Sequence, residues 1–77
     1  MNTIMAYTLT LGERRRQQRA ALLAMTERLI ADHESVPPGH VMTTVAGCRS
    51  ELLRMGVRGD ELLQAAEAMA RSRLNSR

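Results

Sequence analysis

An all-α fold, a small three-helix bundle with a short N-terminal arm, is what this chain of 77 residues predicts. Three observations predict it. Apolar residues recur at helical spacing in three separate blocks. Strong breakers, Val36-Pro37-Pro38-Gly39 and Gly56, divide those blocks. The connections left between them are short, which favours antiparallel neighbours and a bundle as the simplest closure.

Residues 1–9 form the arm, and 10–77 form the helical domain. Thr3 to Leu9 are apolar and β-branched with weak alternation, which suits an extended segment lying on the bundle or a disordered one. Thr10-Leu11-Gly12-Glu13 then fits a capping box, in which the threonine hydroxyl accepts from the Glu13 amide and the glutamate reaches back. Helix 1 is expected over about 11–32. Leu22, Met25 and Leu29 share one of its faces, flanked by Leu23 and Ile30. From Glu13 to Arg19 no position is apolar, so the N-terminal half of this helix has no face of its own to bury. Proline restrains the residue before it and suits a first helical turn, so helix 2 is expected over about 38–55. Val41, Val45, Cys48, Leu52 and Met55 make its stripe, the cleanest in the chain. Gly56 is a natural left-handed stop, with Val57 folding back as in a Schellman ending. Helix 3 is expected over about 59–74, with Asp60 and Glu61 set against its amino-end dipole. Leu62, Ala66 and Met69 form its seam, widened by Leu63, Ala70 and Leu74, and Glu67 and Arg71 pair four apart on its outer face.

Composition limits the core. Tyr7 is the only aromatic residue, so the interior must be built from Ala, Leu, Met and Val. Such a core is thin, because aromatic rings bury the most area per side chain. All eleven basic residues are arginine against eight acidic ones, a net charge of +3. Arginine without lysine, together with abundant alanine, reads as the codon bias of a GC-rich bacterial genome. One cysteine makes no intrachain disulfide, and the start carries no signal-peptide pattern. No stretch approaches the roughly 20 apolar residues of a membrane span. A cytoplasmic protein is the expectation.

Candidate chemistry is sparse. Cys48 lies mid-stripe, where a thiol behaves as a small hydrophobe. His33, His40 and Cys48 fall one ligand short of a structural zinc site and lack its spacing. No Ser/His/Asp or Cys/His set and no phosphate-binding glycine loop is evident, so no enzyme, metal or cofactor is expected. Arg58-Gly59-Asp60 spells an adhesion tripeptide, but it falls where a helix must start and is read as coincidence. Helices 2 and 3 could align with a helix-turn-helix, yet carboxylates at 61 and 67 on the reading face would repel phosphate.

Two functional expectations remain. The first is a non-enzymatic protein-interaction module that self-associates as a homodimer. Leu23 and Ile30 on helix 1, Met42 and Leu53 on helix 2, and Leu63 and Leu74 on helix 3 lie roughly 80–120° from their stripe centres, beyond one narrow seam. Of these, Leu23, Ile30, Leu53 and Leu63 are the candidate oligomer contacts, unless the arm or a rotated helix covers them within a monomer. The second is a small nucleic-acid-binding or regulatory protein that uses Arg14, Arg15, Arg16 and Arg19, whose guanidinium groups spread over more than half the helix circumference.

Overall fold

The computed structural model describes residues 10–76. Three helices follow in chain order: α1 (Leu11–Asp32), α2 (Pro38–Arg54) and α3 (Gly59–Asn75). The arm expected over residues 1–9 lies outside the described residues.

Thr10 begins α1 as its cap: the Glu13 amide donates to Thr10 Oγ1 at 3.1 Å. The returning contact differs from a capping box. The same hydroxyl donates to Glu13 Oε1 at 3.1 Å, so the glutamate meets the cap's side chain. His33 ends the helix, and its amide donates to the Ile30 carbonyl. At the next junction the Pro37 carbonyl accepts from the amides of His40 and Val41, at 2.9 and 3.2 Å. With Pro38 in the first turn, α2 has no side-chain cap. Its far end is a Schellman closure. Gly56 takes φ +90°, and Val57 and Gly56 donate to the carbonyls of Leu52 and Leu53, both at 3.0 Å.

Three contacts advance in step along α1 and α3. Arg28 meets Glu67 at 2.9 Å, Asp32 meets Arg71 at 2.9 Å, and His33 meets Asn75 at 2.8 Å. These contacts set the carboxyl-terminal halves of α1 and α3 side by side in the same sense, and α2 packs with them to complete a three-helix bundle. Its core comprises Met25 and Leu29 of α1, Val41, Val45, Cys48 and Leu52 of α2, and Leu62, Ala66, Ala70 and Leu74 of α3, with Val36 plugging the first turn.

The structure departs from several sequence expectations. Helix 2 ends at Arg54, and Met55 is its cap, 72% exposed. Met55 falls in the right arc, but the chain leaves the helix there, and the folded-back Val57 packs on the core instead. In α3 the buried row is Leu62, Ala66, Ala70 and Leu74, each four after the last. Leu74 is thus core and not surplus, and Met69 only flanks it. Rows at this spacing are the ridges by which helices interlock most often, and each step turns about 40° around the helix. That drift carries the α3 seam away from Met69. Glu67 and Arg71 do pair at 3.1 Å, but toward α1 and not on an outer face. On α1, Thr26 joins Met25 and Leu29 in the core, while Leu22 is half-buried. A threonine fits there because its hydroxyl donates to the Leu22 carbonyl at 2.8 Å, so no polar atom is left unpaired.

Only the C-terminal half of α1 contributes to this core. From Arg14 to Ala20 every residue is exposed. The helix of 22 residues is about 33 Å long, and its first half has no buried face.

Candidate functional site, an arginine-lined cleft

The exposed half of α1 is not isolated. Its inner face looks across a cleft of about 620 Å³ toward the α2–α3 turn. Arg14, Arg15 and Arg19 line it from α1, Arg49 from α2, and Arg58 from the turn. At about 100° per residue, Arg15 and Gln18 continue the face that buries Leu22 and Met25 further along. Polar residues, Arg15 and Gln18, thus occupy the positions that would be core if the neighbouring helices reached that far. Arg16 points away from that face and does not line the cleft.

Leucines form the floor: Leu22, Leu53, Leu62 and Leu63. Leu53 and Leu63, read from sequence as surplus apolar surface, are half-buried here. Asp60 supplies the one carboxylate of the lining. Among the described residues none of the five arginines forms an ion pair; the arginines in salt bridges are Arg28, Arg71 and Arg73. Arg58 is nevertheless tethered, since its Nη1 donates to the carbonyls of Leu53 and Val57, each at 3.0 Å. It closes the carboxyl end of α2 while keeping its charge at the cleft. The amino ends of α1 and α3 lie at this same end of the bundle, because those helices run in the same sense, and their partial positive charges add to the field.

On its other faces the molecule pairs its charges internally. Arg71 bridges Asp32 and Glu67, and Arg73 meets Glu51 at 2.6 Å. Hydrogen bonds from Arg28 and Arg71 hold the Glu67 carboxyl below the usual glutamate range, although its partial burial opposes them.

Sequence reasoning found Arg14, Arg15 and Arg19 because they are consecutive in one helix, but it missed Arg49 and Arg58. Those two come from other elements, and only the packing of all three helices brings them in. The other candidate atoms lie elsewhere. Cys48 is fully buried, and that burial pushes its thiol up, with Arg73 pulling the other way. His33 Nδ1 lies 2.8 Å from the Leu29 carbonyl, and its Nε2 lies 2.8 Å from Asn75 Oδ1. His40 is exposed at the start of α2. Among the described residues, no three His, Cys, Asp or Glu side chains gather as a metal centre would need, and no helix is long and apolar enough to cross a membrane.

No protein-family model, curated protein or solved structure matches the chain.

Proposed function

We propose that this chain is a non-enzymatic helical interaction module of the bacterial cytoplasm whose arginine cleft receives an acidic, leucine-faced segment of a partner protein. The observation that carries this reading is the convergence of five arginines without carboxylate partners over a leucine floor. Guanidinium groups gathered at the rim of a low-dielectric cleft raise the potential there and reward an incoming anion. Arginine also forms planar, bidentate contacts with carboxylate. The apolar floor rewards a side chain that a bare phosphate backbone does not carry.

Nucleic acid is the second reading, favoured by the number of arginines at one end of the molecule. Two features of the lining weigh against it: among the described residues it holds no aromatic ring on which a base could stack, and Asp60 would face phosphate.

One titration separates the two. The intact protein is mixed with a helical peptide bearing leucine on one face and glutamate on the other, and in parallel with a random-sequence DNA duplex, at about 50 and 200 mM salt. The expected result is peptide binding that an Arg15→Glu/Arg49→Glu variant loses. Tighter DNA binding with a steep salt dependence selects the second reading. Neither probe binding at the lower salt sinks both.

A further inference from the structure

The cleft accounts for one side of α1 and leaves the other unexplained. On that second side, Leu23 of α1 is 60% exposed and Met42 of α2 is 57% exposed. They border an open groove of about 510 Å³ between the two helices, floored by Leu22, Val45 and Ala46. Arg19 and Arg49 stand at one end of this groove.

The charges along the same strip of α1 change sign at Leu23. Before it come Arg16, Arg19 and Ala20, and after it come Glu27 and the half-buried Ile30. At about 100° per residue, Arg16, Ala20, Leu23, Glu27 and Ile30 fall within one arc of about 80°, with Arg19 at its border. Arg16, Arg19 and Glu27 have no ion-pair partner among the described residues. A strip with an apolar centre, cations on one side and an anion on the other is complementary to itself only when reversed.

We infer that two copies of this chain pair through α1, antiparallel, about a two-fold axis beside Leu23. Each Leu23 then enters the groove of the other copy, against Leu22, Met42 and Val45. Arg19, four residues before Leu23, meets the partner's Glu27, four residues after it, and symmetry makes the contact twice. The Glu27 carboxylate also arrives at the groove end where Arg49 stands. Arg16 falls beside the partner's Ile30, on which its aliphatic stem can lie. A parallel pairing would instead set Arg19 against Arg19. The antiparallel arrangement also supports the overhang, because the exposed N-terminal half of each α1 lies along the C-terminal half of the other. Arg19 and Arg49 border both the cleft and this groove, but the pairing is read from mass and not from peptide binding, and Arg14, Arg15 and Arg58 stay outside the strip.

Absolute mass by sedimentation equilibrium of the intact chain tests the pairing. Wild-type protein at micromolar concentration is expected at twice the 8.6 kDa chain mass. Arg19→Glu and Glu27→Arg should each raise the dissociation constant about tenfold or more, since each places like charges together at two symmetric contacts. The double variant Arg19→Glu/Glu27→Arg restores opposite charges and should return it to near the wild-type value. Both changes sit at exposed positions, and unchanged far-ultraviolet circular dichroism checks that the fold is intact. A mass of 8.6 kDa at every concentration overturns the proposal. So does a double variant no tighter than the single ones.

Discussion

Arg28 of α1 donates to Glu67 of α3 at 2.9 Å, and this contact joins two helices separated by a whole intervening helix in the chain. Arg71 reaches the same carboxylate from its own helix and extends the network to Asp32. Because the Glu67 carboxyl is held low in the folded state, its contribution to stability is present above the unfolded glutamate value near about 4.3. It is lost as pH falls through the folded value. Glu67→Gln should therefore be less stable than wild type at neutral pH, and the gap should shrink as acid protonates the wild-type carboxyl. Urea unfolding of both proteins at neutral and acid pH checks this. A gap that stays constant would mean the ion pairs contribute nothing.

Leu52 is 5% exposed and stands among the buried residues of α2. Leu52→Ala removes buried methyl groups and leaves a cavity, at a cost of about 2–5 kcal/mol. A domain this small has a total stability of roughly 5 kcal/mol. Thermal unfolding should show a greatly lowered midpoint or no folded baseline at all.

Cys48 gives a direct reading of core integrity. Its side chain is fully buried and its thiol is pushed up, and both effects suppress attack on a thiol reagent. Labelling should be slow in native buffer and fast in denaturant. Fast labelling of the folded protein would contradict the packing of α2.

Two glycines should respond to alanine in opposite directions. Gly56 holds φ +90° in the Schellman turn, where a side chain costs about 1–2 kcal/mol. Gly47 lies exposed within α2, and a methyl group there meets nothing within 4 Å. Gly47→Ala should stabilise by about 1 kcal/mol, the difference in helix propensity. Paired denaturation curves test both, and a fall in stability for Gly47→Ala would show that this position touches something.

The three helices were legible because each start and stop is written locally: Thr10, Pro38 and Gly56 act on their immediate neighbours. Which face of α1 is buried was nearly legible. Thr26 was missed because its polarity hides a core position that a backbone carbonyl satisfies. The α3 seam was misjudged at Met69 and Leu74 because the drift of a four-residue row depends on how the helices cross, and crossing is a tertiary property. The same limit applied to the cleft. A run of arginines in one helix is visible in the sequence, whereas the approach of Arg49 and Arg58 needs the arrangement of all three helices.

A core without an aromatic ring has an optical consequence. Near-ultraviolet circular dichroism and intrinsic fluorescence report on ordered rings, and among the described residues the interior holds none; Tyr7, the one ring of the sequence, lies outside the described residues. The well-packed bundle of described residues will therefore add nothing to the near-ultraviolet spectrum, whose loss is ordinarily the sign of a molten globule. Order in the bundle is to be read from methyl resonances of Met25, Leu29 and Val41, which are fully buried, and from amide exchange along the helices.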